Sequence, residues 1–314
     1  MSTSILTPSH LSSFLDYISL PPHLHTYHYS PSHDPTQALH FLTQLHIHTI
    51  STIPYENLSL HYNPSHTNSI EPLDVFHKII SNARGRGGYC MELSILYNHI
   101  LRALGFSAYT SMVRIRYRTD GIPAGDYIGC AHIVNIVTLS NGSKYHVDVA
   151  FGGDGATAPM PLMQDLPQKN LGNQEIRLHR DHIPSQTLRT EETKLWIYQY
   201  RNSSSQPWNS FYAFAEQEAL IADFRILNSW TSGPTSFQSE LMLVVKFLRR
   251  EREDGVGQEV YGKRMLSGNV VKENLGGKTG VLEVLLSERQ RVEALETWFG
   301  IVLTEEERMG IRGW

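Results

Sequence analysis

Two glycines set directly before one of only two cysteines constrain this 314-residue chain more than any other feature. The stretch reads Arg84-Gly85-Arg86-Gly87-Gly88-Tyr89-Cys90-Met91-Glu92. After it, Leu93, Leu96, Tyr97, Ile100, Leu101 and Leu104 recur at helical spacing, and Gly105 stops the run. A buried helix is therefore predicted to begin at or just before Cys90. The N–H groups at a helix start carry partial positive charge, which favours thiolate over thiol. The glycines permit a tight turn and let a substrate approach the backbone closely. A small buried cysteine capping a core helix accounts for the same stretch without any chemistry. The partners of Cys90 have to decide.

Upstream, the chain reads as short helices. Leu11, Phe14, Leu15 and Ile18 form an amphipathic turn, and Ala38, Leu39, Leu42 and Leu45 form another behind an Asp34-Pro35 cap. A third helical piece covers Asp74 to Ile80. Most of the 16 histidines fall in this region. His46 and His48 stand two apart, which is poor spacing for ligands on a helix face, so the histidines read as solvated surface and no metal site is expected. Beyond Gly105 the period changes to two: Val113, Ile115 and Tyr117 alternate with Arg114, Arg116 and Arg118. Tyr127 to Leu139 and Lys144 to Phe151 read as strands on either side of Ser140-Asn141-Gly142-Ser143, a hairpin signal. Glu175 to Arg180 and Leu195 to Arg201 are further strands. Arg201 to Pro207 reads as a linker, Phe211 to Phe224 as a helix, Leu241 to Leu248 as a strand and Ser287 to Phe299 as a helix.

A nucleophilic cysteine needs a base, and the base needs a group to orient it. His132 and Asp148 lie on predicted buried strands, where a polar side chain has to find a partner. A core histidine bonded to a carbonyl and a carboxylate bonded to some arginine would satisfy that rule equally well. Hairpin parity separates the two cases. With a two-residue Asn141-Gly142 turn, His132 faces Phe151 and Asp148 points to the other side of the sheet. With a three-residue Ser140-Asn141-Gly142 loop, His132 faces Ala150 and Asp148 faces Val134, on the same side and one diagonal apart. Glycine as the third loop residue, in the left-handed conformation, is what the longer loop requires. Cys130, two residues before His132, is predicted on the same strand face, without a helix start to stabilise a thiolate.

These residues carry a resemblance. Arg86-Gly87-Gly88-Tyr89-Cys90 resembles the nucleophile motif of the arylamine N-acetyltransferases. His132 opening an apolar strand, and Val147-Asp148-Val149-Ala150-Phe151-Gly152, are similar to that family's histidine and aspartate motifs, in the right order. Ile53-Pro54-Tyr55-Glu56-Asn57-Leu58 resembles its upstream signature, and Asn228 to Phe237 its later Thr-Ser-Pro stretch. Ala150 stands where many members carry glycine, and Gly233-Pro234 replaces the usual Ser-Pro neighbourhood.

The resemblance implies an α+β, three-domain cysteine-transferase fold with a papain-like core. A helical bundle would span 1–106, an antiparallel β-barrel 107–200 and an α/β lid 201–314. It implies a Cys90–His132–Asp148 triad, Phe151 and Tyr89 at the substrate, and Gly152, Gly153 and Thr235 at coenzyme A. Glu56 and Arg86 would pair to brace the nucleophile loop. No cofactor would be held permanently; acetyl-CoA, or malonyl-CoA as in some similar fungal proteins, would be the cosubstrate, with arylamines, arylhydrazines or heterocyclic amines as acceptors in xenobiotic metabolism. A papain-like or transglutaminase-like hydrolase would use the same triad, and a binding module would keep the fold without needing Cys90. Composition narrows the rest. A formal charge of −4 gives no basic field for nucleic acid. Two cysteines make no disulfide framework and point to a reducing compartment. Met1 to Leu11 lacks a signal-peptide pattern and no apolar run is long enough for a bilayer, so the cytoplasm is the expected address. The oligomeric state stays open.

Overall fold

The computed structural model describes residues 4–311; Met1 to Thr3, within the stretch read for a signal peptide, and the last three residues lie outside them. Helices α1 (Pro8–Tyr17), α2 (Pro22–His25), α3 (Pro35–Thr52), α4 (Ser59–Tyr62), α5 (Pro72–Phe76) and α6 (Cys90–Ala103) make up the first part, with one short strand, β1 (Tyr55–Glu56). The Asp34 carboxylate accepts from the N–H of Thr36 at 3.2 Å and Pro35 takes the first helical position, so α3 starts where its cap predicts. Its histidines differ from expectation. His46 and His48 are buried, not solvated, and bond the carbonyls of Ala156 and Ile18 at 3.1 Å each. The helix is enclosed on most of its circumference, so residues two apart are both covered.

The second part is an eight-stranded antiparallel sheet in the order β7-β6-β5-β2-β11-β10-β9-β8. Its strands are β2 (Ser107–Ile115), β5 (Cys130–Thr138), β6 (Lys144–Val147), β7 (Met160–Pro161), β8 (Gln168–Lys169), β9 (Glu175–Asp181), β10 (Leu195–Arg201) and β11 (Asn209–Phe214). A small separate hairpin, β3 (Arg118–Thr119) with β4 (Ile122–Pro123), stands beside them. A bridge from Gln164 to Leu178 brings the segment after β7 onto β9, so the sheet nearly closes into a barrel. Asn209–Phe214 form a barrel strand, although the sequence suggests a helix from Phe211, and the polar run after Arg201 is part of the turn between β10 and β11. The sheet therefore continues past residue 200, the expected boundary. Phe211, Tyr212 and Phe214 owe their burial to neighbours on distant strands, which local periodicity does not register.

The β5–β6 hairpin has the three-residue loop. Asn135 pairs with Val147 and Thr138 with Lys144, and the N–H of Leu139 reaches the Ser143 carbonyl at 2.9 Å. Gly142 has φ +81 and donates to the Leu139 carbonyl at 2.9 Å. An added Cβ at Gly142 would meet nothing within 4 Å, so the left-handed backbone alone dictates glycine there. Gly142→Val is expected to cost about 1–2 kcal/mol from that conformation. It should lower activity more than this, because a one-residue slip turns Asp148 to the opposite face. Thermal unfolding set beside turnover checks the point; equal, small losses in both would remove the argument from parity.

The third part follows α7 (Ile221–Thr231) and α8 (Phe237–Glu240). Strands β12 (Leu243–Glu251), β13 (Gln258–Ser267), β14 (Val270–Asn274) and β15 (Gly280–Val284) are flanked by α9 (Glu288–Ala294) and α10 (Glu305–Gly310). The sheet order is β1-β12-β13-β14-β15, so β1, from the first part, is its edge strand. Glu56 donates its N–H to the Gly88 carbonyl at 2.9 Å on the other side. The segment from Pro54 to Leu58 thus joins the sheet of the third part to the glycines before Cys90.

Candidate active site

A ladder of contacts sets Cys90 beside the residue before His132. Helix α6 lies along β5, with the Cys90 thiol on the Ala131 carbonyl at 3.9 Å, the Ser94 hydroxyl on the Ile133 carbonyl at 3.4 Å and the Asn98 amide on Asn135 Oδ1 at 2.8 Å. Four helical residues rise about 6 Å and two strand residues advance about 6.6 Å, so the two repeats stay in step over three rungs. The Asn135 amide returns a bond to the Ser94 carbonyl at 3.0 Å and locks the register. Cys90 is the first residue of the helix, level with the residue before His132.

The structure brings His132 and Asp148 together. His132 Nε2 is 2.8 Å from Asp148 Oδ2, and the Ala150 N–H donates to Oδ1 at 3.0 Å. Cys90, His132 and Asp148 are 4%, 3% and 2% exposed, so none is a surface charge. A carboxylate only accepts, so Nε2 carries the proton and Nδ1 is the bare, basic nitrogen. Burial raises the Asp148 acid, but the His132 imidazole, then His146 and the Ala150 N–H, hold it below the usual aspartate range. The helix start does less for Cys90 than expected. Burial, and then the Asp148 charge, push its thiol up against the pull of the Met91 and Cys90 N–H groups. A free thiolate is therefore disfavoured unless a positive charge forms beside it.

The glycines before Cys90 make room for protein rather than for a ligand. A Cβ on Gly87 would lie 1.8 Å from the Pro54 carbonyl oxygen, and one on Gly88 would lie 2.8 Å from the Glu92 side chain. Glu56 and Arg86 do pair, with Arg86 Nε on Glu56 Oε1 at 3.0 Å, both buried. Glu56 also accepts the N–H groups of Gly87 at 3.1 Å and Leu58 at 2.6 Å. Despite burial, Arg86 and Lys78 draw its acid down to about 2. Arg86 reaches onward to Glu307 and to the Ser59 hydroxyl. Glu92 accepts the Tyr89 N–H at 3.1 Å, which closes the first turn of α6.

The other expected site residues fall into two groups. Phe151 stands beside the histidine, its ring centroid 5.1 Å from that of His132. Gly152 adjoins it against Val245, and the Gly153 carbonyl accepts from Lys263 of β13. Thr235 lines a cleft of about 60 Å³ with Tyr117, Trp230, Phe237 and Ala131, whose carbonyl touches Cys90. Tyr89 is different. It is 1% exposed and its hydroxyl is bound to Asn228 and, at 3.0 Å, to Thr231 of α7, so it anchors that helix and presents no surface to the cleft. Cys130 also departs from expectation. A bulge at Ala131 lets Val113 face His132 while Arg114 faces Cys130, so the two point to opposite sides.

Sequence reading missed Tyr212, whose hydroxyl is 3.3 Å from Asp148 Oδ2 and 2.8 Å from His146 Nε2. It also missed Asn57, which donates to the Gln238 and Leu241 carbonyls at 2.8 Å and ties α8 beside the cleft. Only the Asn-Leu of the upstream signature pointed there.

A sequence profile of the N-acetyltransferase family matches residues 38–308. The chain belongs to the arylamine N-acetyltransferase family. It is an acyltransferase. An N-malonyltransferase of Fusarium pseudograminearum, FDB2, is 28% identical over 90% of this chain and 84% of its own. The arylamine N-acetyltransferase of Escherichia coli is 30% identical over 61% of this chain and 60% of its own. In fold, the arylamine N-acetyltransferase from Salmonella typhimurium superposes with a TM-score of 0.74 at 22% identity, covering 95% of this chain and 96% of that one. This arylamine N-acetyltransferase family member thus shares the mixed fold with its barrel-like sheet. Among its described residues no helix is long and apolar enough to cross a membrane.

Proposed function

We propose that this acyltransferase moves an acyl group from coenzyme A to an arylamine through an acyl-Cys90 intermediate, with His132 as general base and acid and Asp148 as its orienting group. The observation that carries the reading is the α6–β5 ladder, which sets the Cys90 thiol level with a histidine already fixed by a buried carboxylate. Cys90 Sγ attacks the thioester carbon while its proton passes to His132 Nδ1. The oxyanion meets the Cys90 backbone N–H at the start of α6. The carbon–sulfur bond of the donor breaks, and the departing thiolate takes the proton from His132 as free coenzyme A. A neutral arylamine then attacks the acyl-cysteine, His132 takes the amine proton, and the Cys90 sulfur leaves and recovers it. Phe151 would flank the acceptor, and Thr235, Gly152 and Gly153 the coenzyme. The helical part, the barrel running to Phe214 and the part beyond it would act as three domains, the last as a lid. Both cysteines are free, which fits a reducing compartment such as the cytoplasm.

Two donors are in contention. Acetyl-CoA is the family's donor by name. Malonyl-CoA is supported by the N-malonyltransferase, whose similarity spans far more of this chain than that of the acetyltransferase. Intact-mass spectrometry after mixing with each donor separates them, since acetyl and malonyl adducts differ in mass. An adduct from neither would sink the transferase reading. Release of coenzyme A without amine is expected to be at least about tenfold slower than with a good arylamine, because a lid over the thioester excludes water. Equal rates would favour the hydrolase.

A further inference from the structure

Behind Asp148 the inner face of the barrel holds a second histidine that acyl transfer, as derived above, does not use. His146 precedes Asp148 by two residues on β6 and is fully buried. Its Nε2 lies 2.8 Å from the Tyr212 hydroxyl, and that hydroxyl lies 3.3 Å from Asp148 Oδ2, the oxygen that accepts from His132. The other nitrogen, His146 Nδ1, has no hydrogen-bond partner among the described residues. Tyr212 is held in place by Tyr198, stacked at 4.6 Å and 6°, and by Phe151 at 4.7 Å.

A phenol has one proton, so only two arrangements exist. In the first, Tyr212 donates to Asp148 and accepts from His146 Nε2–H, and the bare Nδ1 is an unmet acceptor. In the second, Tyr212 donates to His146 Nε2. The carboxylate then faces a phenol lone pair, and the His146 proton sits on Nδ1, where only the residue's own backbone carbonyl, short of hydrogen-bond geometry, is near it. A buried carboxylate set against a phenol lone pair 3.3 Å away costs more than one unmet acceptor. The first arrangement is the stable one, and it has a direction: His146 to Tyr212 to Asp148 to His132.

We propose that His146 is a positioning residue for acyl transfer, its Nε2–H turning the Tyr212 hydroxyl onto Asp148 and drawing charge from the oxygen that binds His132. This rests on the Cys90–His132–Asp148 reading. A less basic carboxylate grips the imidazolium less tightly, so His132 returns its proton to the departing coenzyme A more readily. The titratable groups facing His146 are Tyr212 and Tyr198 from the barrel, Asp148 and His132 beside it, and His46 from α3. His46 donates Nε2–H to the Ala156 carbonyl. Burial, opposed by the Asp148 charge and reinforced by His132 and His46, holds His146 neutral, its acid down at about 4, so the donor arrangement persists through neutral pH.

Two variants and one direct observation test this, using whichever of acetyl-CoA and malonyl-CoA loads the wild-type protein at Cys90. That loading separately tests the reading beneath. His146→Leu removes the donor and is expected to slow single-turnover loading about tenfold, the size of one hydrogen bond. Its alkaline limb should move to higher pH and its KM for the donor should stay unchanged. His146→Gln keeps an amide donor near the Nε2 position and should restore both rate and limb. Nitrogen-15 NMR of histidine in the wild-type protein should show His146 as the Nε2–H tautomer. The Nδ1–H tautomer would overturn the proposal whatever the variants do. So would wild-type rates and limbs in both variants, or equal slowing in both with a lowered Tm and an unmoved limb, which is what packing alone gives.

Discussion

Cys90→Ser is expected to abolish both acyl loading and turnover, by roughly 10⁴-fold or more, while Cys130→Ser keeps most of the activity. The contrast comes from position, since both residues are thiols on adjoining elements. Cys90 opens α6 in a buried site that pushes its thiol up, so in the mechanism proposed above the thiolate forms only as the proton passes to His132 Nδ1. A serine hydroxyl is far less acidic than a thiol, so the same base cannot activate it to a comparable degree. Cys130 faces Arg114 across the bulge at Ala131, on the side of the sheet away from His132, in a groove with Met112, Leu227 and Trp230. Peptide mapping of the acyl adduct checks this directly. An adduct on Cys130 in the wild-type protein would reverse the assignment, and undiminished loading of Cys90→Ser would remove Cys90 from the chemistry.

What was legible in the sequence was what short stretches decide. The start of α6, the cap of α3 and the loop after Leu139 each depend on a few neighbouring residues, and Gly142 decided the parity of a whole strand. Pairings between distant segments were not legible. Tyr212 was lost because Phe211 to Phe224 carries apolar residues at helical spacing, and only the adjacent strands β2 and β10 make its first residues extended. The bulge at Ala131 inserts one residue into an otherwise regular apolar strand, which leaves no trace in hydrophobic alternation yet turns Cys130 away from His132. Burial of His46 depends on a carbonyl 110 residues away. The resemblance put Tyr89 at the substrate, but at a helix start successive side chains diverge, and its own reaches α7.

Asp148→Asn is expected to slow acyl loading by roughly 10³- to 10⁴-fold while leaving donor affinity nearly intact. The side chain keeps its shape, so the loss follows from counting donors. Three donors converge on the carboxylate: His132 and Tyr212 on Oδ2, and the Ala150 N–H on Oδ1. An amide has one oxygen. If that oxygen turns to His132 and Tyr212, the amide NH₂ meets the Ala150 N–H, and no charge remains to stabilise the imidazolium. If it turns to Ala150, the NH₂ faces His132 Nε2 and strips it of its proton, which places the proton on Nδ1. His132 then presents an N–H to Cys90 where a base is needed. Either orientation stops the thiol from giving up its proton, and neither touches Thr235 or Phe151, beside which donor and acceptor are proposed to bind. Single-turnover loading followed by mass spectrometry, with donor affinity measured on the same protein, separates the two effects. A rate within tenfold of wild type would mean that Asp148 holds His132 for structure alone and that some other group prepares it for catalysis.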